Sequence, residues 1–156
     1  MPVNPDFKDL LRLLNSEKVK YLVVGAYAVM HYTEPRYTKD VGFWVEADSE
    51  NAQKVYNALK KFGAPVQNAS PEDFANSELV YQIGVEPNRI DVLMGIEGVD
   101  FQKAWKNKTV GTYGGEKFYL LGIKDLIRTK KIANRPQDKL DLEVLKLALK
   151  KKKNRK

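Results

Sequence analysis

The sequence predicts a small α/β domain of the α+β type, in which helices flank a mixed β-sheet and a pair of helices ends the chain. Three observations support this fold class. Short β-branched runs alternate with amphipathic segments, glycine or proline lies at many of the changes between them, and no internal repeat is found. The length of 156 residues suits one domain with a real core. We therefore expect a single domain over residues 1–149 and a disordered basic tail over residues 150–156.

The first half of the chain is predicted to contain three helices and two strands. Four apolar residues between Phe7 and Leu14 recur at helical spacing, which indicates an amphipathic first helix. Asp48 or Ser49 is expected to cap the third helix, and Gly63 to end it. The predicted bounds are a helix over 5–17, a strand over 20–25, a helix over 26–33, a loop over 34–39, a strand over 40–47 and a helix over 49–62.

The second half is predicted to contain two β-hairpins and three helices. The turn Glu86-Pro87-Asn88 is short enough to make its flanking strands antiparallel. A second hairpin is expected to turn at Gly114 and Gly115. The predicted bounds are a loop with a short helical turn over 64–78, strands over 79–85 and 89–96, a short helix over 101–105, and final helices over 122–132 and 136–152.

Gly25 lies where the first predicted strand turns into a helix. The run before it is apolar and β-branched, and the run after it favours a helix. Such a junction points backbone N–H groups and the positive end of the helix at one place, which suits a phosphate. The same junction is also typical of an ordinary tight turn. Both interpretations stay open at this point.

Two aspartates lie in predicted strands. The alternation of the strand DVGFWVEA places Asp40 and Gly42 on one face. In RIDVLMGI, Asp91 shares a face with Arg89 and lies within an apolar run, where an ionised carboxylate needs a cation or strong donors. A metal ion would meet this need, and so would a salt bridge. The candidate salt-bridge partners are Arg36, Arg89 and Lys130.

These motifs together resemble the minimal nucleotidyltransferases of the DNA-polymerase-beta-like superfamily. The closest likeness is to the bacterial and archaeal branch that includes nucleotidyltransferase toxins of toxin–antitoxin systems and many stand-alone proteins. The resemblance covers roughly residues 19–145. The matching positions are Gly25-Ala26, the helix Ala28-Val29-Met30-His31, the loop and strand from Arg36 to Gly42, Asp91, and the C-terminal set Lys130, Ala133, Arg135, Asp138, Asp141 and Leu142.

The resemblance implies transfer of NMP from an NTP to an acceptor hydroxyl of RNA, protein or a small molecule, with Mg²⁺ or Mn²⁺ as cofactor. Asp40 and Asp91 would then be the catalytic residues and metal ligands. Hard Mg²⁺ takes oxygen ligands and often completes its shell with water and substrate phosphate, so two carboxylates can hold one ion. The residues implied to bind the nucleotide and its phosphates are Gly25, Ala26, Arg36, Thr38 and Lys130.

Two departures from the family pattern fall on the chemistry. Ala26 stands where the family often has serine or glycine, so a hydroxyl donor to the triphosphate is missing. Gly42 replaces the second aspartate of the Asp-x-Asp pair, which in the family helps hold both metal ions. Stabilising both the attacking and the leaving oxygen takes two ions. The alternative function is therefore a catalytically inactive nucleotide- or RNA-binding protein with the same fold.

A third function follows from the resemblance and from the charge distribution. The chain would be a toxin with a transfer-RNA acceptor and an antitoxin partner. The net charge is +7, but residues 150–156 carry six positive side chains and leave only +1 for the remainder. Such a tail can bind RNA phosphates, or it can be a solvated chain end.

The composition excludes several other classes. The absence of cysteine excludes disulfides and thiolate metal sites, and the single histidine, His31, excludes a histidine cluster for zinc. His31 is expected to be structural more often than catalytic in this position. The sequence contains no signal-peptide pattern and no apolar run long enough to span a bilayer. We therefore expect a cytoplasmic protein without a membrane partner.

Overall fold

The computed structural model describes residues 3–154. This part of the chain contains six α-helices and six β-strands, joined by loops. The helices are α1 (Pro5–Ser16), α2 (Ala26–Tyr32), α3 (Ser49–Phe62), α4 (Phe101–Lys106), α5 (Ile123–Ala133) and α6 (Pro136–Asn154). The strands are β1 (Tyr21–Val24), β2 (Asp40–Val45), β3 (Val80–Ile83), β4 (Arg89–Leu93), β5 (Thr109–Tyr113) and β6 (Glu116–Leu120). A 3₁₀ turn over Pro71–Ala75 lies in the predicted loop. The predicted fold class and both predicted hairpins are confirmed.

The strands form one mixed sheet in the order β3-β4-β2-β1-β6-β5. β1 pairs with antiparallel β2 on one side and with parallel β6 on the other. β2 is parallel to β4. The hairpins β3–β4 and β5–β6 form the two edges of the sheet. This topology places the strand that carries Asp40 beside the strand that carries Asp91.

An aromatic cluster holds α1 on the sheet. The ring of Phe7 lies 4.5 Å from Tyr113, 4.7 Å from Tyr27 and 5.3 Å from Phe43, measured between centroids. Burying a side chain such as Phe7 contributes about 2 kcal/mol to folding. Because Phe43 faces α1, the alternation along β2 directs Asp40 and Gly42 to the opposite side of the strand.

Local signals set the ends of α3 as the sequence predicts. The side chain of Asp48 accepts a hydrogen bond from the backbone N–H of Asn51 at 2.7 Å, so Asp48 and not Ser49 is the N-cap. Gly63 ends the helix in the left-handed region with φ of 93°, and its N–H bonds back to the carbonyl of Leu59.

The C-terminal residues differ from the expected disordered tail. α6 continues to Asn154, so Lys150–Lys153 form its last turn, whereas residues 155 and 156 lie outside the described part of the chain. Lysine is a good helix former, and cations at a helix C-terminus interact favourably with the helix dipole. Within residues 3–154, none of the helices combines the length and the apolar character that crossing a membrane would need.

Candidate active site on the β2–β4 pair

Four residues of β2 and β4 lie together on one face of the sheet. They are Asp40, Gly42, Arg89 and Asp91, and we call them the carboxylate patch. The register pairs Asp40 with Arg89 and Gly42 with Asp91. Directly paired residues point to the same side of a sheet, as do residues two apart along one strand. The two aspartates predicted as metal ligands are therefore brought together, and position 42 lies directly beside Asp91.

The guanidinium of Arg89 bridges the two carboxylates. Its Nη2 donates to Oδ2 of Asp40 at 2.6 Å and to Oδ2 of Asp91 at 3.1 Å, and its Nε donates to Oδ1 of Asp91 at 2.9 Å. The hydrogen bond to Asp91 and the charges of both aspartates raise the pKa of Arg89. Arg89 is thus the salt-bridge partner that the sequence left open, and neither Arg36 nor Lys130 pairs with these aspartates.

The donor set of the carboxylate patch fits one hard divalent ion and not two. Asp40 and Asp91 both contact the same nitrogen of Arg89, so both can turn their oxygens toward one point. Residues 3–154 contain no group of three or more His, Cys, Asp or Glu placed to hold a metal ion. An ion between Asp40 and Asp91 would have to take the place of the Arg89 guanidinium. Water and phosphate oxygens would complete its coordination.

The backbone at Gly42 can accept a side chain. A Cβ atom there would lie 3.0 Å from Cγ2 of Val24 and 3.4 Å from Cδ1 of Leu93. Both neighbours are side-chain atoms, and Val24 would have to move by a few tenths of an ångström to make room. The backbone conformation at this position therefore does not require glycine, and the patch has no third carboxylate there.

Gly25, in contrast, is required by the backbone. It precedes α2 with φ of 70° and ψ of −149°, a conformation that residues with a Cβ rarely adopt. A Cβ there would meet no atom within 4 Å, so the space in front of the turn is open. Val24, just before the turn, pairs with Gly42, so Gly25 and Ala26 lie next to the carboxylate patch. The tight-turn and phosphate interpretations of Gly25 are both compatible with this placement.

The loop before β2 is held by Thr38 and Arg36. The hydroxyl of Thr38 donates to the backbone carbonyl of Asp40 at 3.1 Å, which fixes the chain where it enters β2. Arg36 donates through Nη2 to Oδ2 of Asp141 at 2.9 Å, and its buried Nε has no hydrogen-bond partner among residues 3–154. Arg36 therefore ties this loop to α6.

Lys130 lies in a buried ion cluster between α5 and α6. Its Nζ is 3.1 Å from Oδ1 of Asp138 and 3.0 Å from Oδ2 of Asp141. Burial raises the pKa of Asp138, but hydrogen bonds from Arg135 and Lys130 outweigh it and lower this pKa to about 2. Lys130 and Arg36 thus meet at Asp141 and not at the carboxylate patch. Their predicted contact with phosphate stays a prediction.

His31 is an exposed residue whose ring borders two aromatic rings. Its ring is perpendicular to that of Tyr32, with centroids 5.0 Å apart, and lies 5.9 Å from that of Phe118. Partial burial of the ring lowers the pKa of His31. This environment fits the structural role expected for the only histidine.

Known structures with the same fold are nucleotidyltransferases. The lincosamide antibiotic adenylyltransferase LnuA, solved with lincomycin bound, matches with a TM-score of 0.60 at 18% identity over 94% of this chain and 98% of that chain. A nucleotidyltransferase candidate from Thermotoga maritima matches with a TM-score of 0.59 at 16% identity over 91% and 93%. An antigenic nucleotidyltransferase-like protein from Paracoccidioides brasiliensis matches with a TM-score of 0.57 at 18% identity over 93% and 78%.

These likenesses show that the chain has the nucleotidyltransferase fold. No protein-family model matches the sequence, and no curated protein matches it.

Proposed function

We propose that this chain binds a nucleoside triphosphate together with one Mg²⁺ or Mn²⁺ ion and transfers its nucleotidyl group to an acceptor hydroxyl. The observation that carries the proposal is the register of β2 and β4. It places Asp40 and Asp91 on one face of a nucleotidyltransferase-like sheet, next to the open Gly25 turn.

Each residue of the site has a distinct role in this proposal. Asp40 and Asp91 hold the divalent ion, which supplies positive charge beside the triphosphate. With an ion held there, Arg89 would be displaced from the carboxylates, and its guanidinium could donate two parallel hydrogen bonds to phosphate oxygens. The backbone N–H groups after Gly25 face the same phosphates. Thr38 keeps Asp40 in position through the hydrogen bond to its carbonyl.

Gly42 limits the rate of this reaction. The attacking hydroxyl must lose its proton during transfer, and a carboxylate near the acceptor is one group that can take it. With glycine at position 42, the patch offers only the two carboxylates that hold the ion. The wild-type chain is therefore expected to bind nucleotide well and to transfer it slowly.

One of the similar structures suggests a class of acceptor to test. LnuA is an antibiotic adenylyltransferase with lincomycin bound, and its whole length matches this chain in fold. A small molecule with a hydroxyl group is therefore one acceptor to test. RNA and protein acceptors, and a toxin with an antitoxin partner, remain alternatives that rest on the sequence resemblance.

Labelled NTPs incubated with Mg²⁺ or Mn²⁺ and with total RNA, protein or hydroxyl-bearing small molecules test the proposal. We expect label to pass to one acceptor class and Asp91→Asn to abolish this transfer. Asp9→Asn is the matched control, because Asp9 is a half-exposed aspartate on α1 whose ion pair within the described residues is with Arg12. Equal transfer by the wild type and Asp91→Asn would contradict the assignment of the site.

A second candidate function is nucleotide or RNA binding without catalysis. It is favoured by two features. Position 42 has no carboxylate, and the Arg89 guanidinium already hydrogen-bonds both aspartates and balances one of their two negative charges. Nucleotide binding with no detectable transfer, in both the wild type and Gly42→Asp, would support this function over the first.

A further inference from the structure

The outer face of α6 carries an apolar stripe that nothing in the described chain covers. Its residues recur at i, i+4 and i+7, so they lie on one side of the helix. The opposite side of α6 packs against α5. The exposed residues are Leu140 (60% exposed), Val144 (43%) and Leu147 (58%). A helix that is buried on one side and apolar on the other indicates a partner for the second side.

The stripe forms one wall of a groove of about 690 Å³. Val29, Tyr32 and Pro35, from α2 and the loop that follows it, lie on the groove's other wall. Lys151 and Lys152 lie at one end. A helix that packed on the stripe would therefore also contact the loop that leads to Arg36 and β2.

We propose that the stripe binds the same stripe of a second copy of this chain, with the two α6 helices antiparallel. The positions 140, 144, 147 and 151 follow the alternating spacing of a coiled-coil seam. In the antiparallel register, Val144 packs against the partner's Leu147, and the aliphatic stem of Lys151 covers the partner's Leu140. The two-fold symmetry repeats each contact.

The charges beside the stripe fit this register. Glu143 and Lys150 are seven residues apart and both occupy the flanking position that precedes a seam residue. Both are exposed, and neither forms an ion pair within residues 3–154. When Val144 lies opposite the partner's Leu147, Glu143 lies opposite the partner's Lys150. Two equivalent ion pairs then border the seam.

The lysine cluster at the end of α6 decides the direction of the pair. Lys150–Lys153 form the last turn of the helix. A parallel pair would set the two clusters side by side. The antiparallel register separates them by about 20 Å, at a helical rise of roughly 1.5 Å per residue. This separation exceeds the Debye length of about 8 Å at physiological ionic strength, so their repulsion is screened.

Sedimentation equilibrium of the full chain between about 1 and 100 μM tests the proposal. We expect a reversible monomer–dimer equilibrium that Leu147→Lys abolishes. Glu143→Lys and Lys150→Glu should each raise the dissociation constant about tenfold, a factor equal to about 1.4 kcal/mol. The double variant should restore the wild-type value. Lys8→Glu, an exposed charge reversal on α1, is the control that should change little.

Cysteine cross-linking tests the direction independently, because the chain has no cysteine of its own. An equal mixture of Val144→Cys and Leu147→Cys should form the mixed disulfide faster than either variant pairs with itself.

A wild-type monomer at every concentration would overturn the proposal. So would failure of the double charge variant to restore pairing, or self-pairing of Val144→Cys that exceeds the mixed product. A monomer that instead binds an acidic amphipathic helical peptide on this face would assign the surface to another partner.

Discussion

Position 42 lies directly beside Asp91 in the sheet. The residue at this position determines whether the patch contains two carboxylates or three. The backbone there tolerates a Cβ, with Val24 as the tightest neighbour at 3.0 Å. An aspartate at this position would project beside both Asp40 and Asp91. The patch could then offer a third oxygen ligand on the same face.

Gly42→Asp is therefore expected to tighten Mg²⁺ or Mn²⁺ binding and to raise nucleotidyl transfer by about tenfold or more, which corresponds to roughly 1.4 kcal/mol of transition-state stabilisation. Without metal, three crowded carboxylates should lower the melting temperature, and added Mg²⁺ should restore it. Metal titration, transfer rate and thermal melting measure these effects. A folded Gly42→Asp variant with unchanged metal affinity and unchanged transfer would contradict the role assigned to the patch.

Arg89 acts as the cation of the patch when no metal is bound. Arg89→Gln should lower the melting temperature slightly in the absence of metal, because two partly exposed carboxylates lose their partner. The divalent ion should bind more tightly to Arg89→Gln than to the wild type, because the ion no longer competes with the guanidinium for the two carboxylates. Thermal melting with and without Mn²⁺ measures both effects.

Arg12→Gln is the control for Arg89→Gln, because it removes an exposed arginine that pairs with a carboxylate on α1. Its melting temperature should respond to Mn²⁺ as that of the wild type does. If Mn²⁺ fails to stabilise Arg89→Gln more than the wild type, Arg89 and the metal do not share a site.

Helices α5 and α6 are joined by the buried cluster of Lys130, Asp138 and Asp141. The pKa of Asp138 is lowered from 3.8 to about 2 in the folded chain. Its ionised form therefore contributes stability above pH 4, and this contribution is lost as the pH falls from about 4 to about 2. By linkage it amounts to about 2 kcal/mol.

Asp138→Asn should unfold more easily at pH 7 and should lose less further stability between pH 4 and pH 2 than the wild type. The physical reason is that Lys130 keeps only one of its two buried carboxylate partners. Chemical denaturation at several pH values measures the difference. Parallel pH profiles for Asp138→Asn and the wild type would contradict the lowered pKa.

The elements differ in how far the sequence predicts them. The cap at Asp48, the end of α3 at Gly63 and both hairpin turns depend on residues close in the chain, so local patterns predict them. The parallel pairing of β2 with β4 joins residues 49 apart, and no local pattern fixes its register. For this reason the sequence suggested Asp40 and Asp91 as ligands but did not single out Arg89 as the group between them.

The surroundings of Lys130 and the structure of the chain end are two further features that local sequence patterns do not predict. The phosphate contact of Lys130 stays a prediction, but no local pattern indicates that the packing of α5 against α6 buries this lysine beside two aspartates. The lysine run predicted disorder, yet it continues α6 because the helix before it is already formed. Both outcomes depend on tertiary context.

At the scale of the whole molecule, the positive charge is concentrated at the end of α6. If this end binds RNA, the triple substitution Lys151→Gln, Lys152→Gln and Lys153→Gln should weaken RNA binding. It should also reduce the slope of log affinity against log salt by about 2, at roughly 0.7 per phosphate contact on a single strand. Folding should change little, because these side chains are exposed. Filter binding at several salt concentrations measures the slope, and an unchanged slope would place RNA binding elsewhere.

Calorimetric titration of an NTP into the wild type and Asp91→Asn, with and without Mg²⁺, tests the central claim most directly. We predict that the wild type binds NTP only with the divalent ion and that Asp91→Asn binds at least about tenfold more weakly. The control Asp9→Asn should match the wild type. Metal-independent binding that is equal in the wild type and Asp91→Asn would contradict the account and leave Asp91 as a structural partner of Arg89.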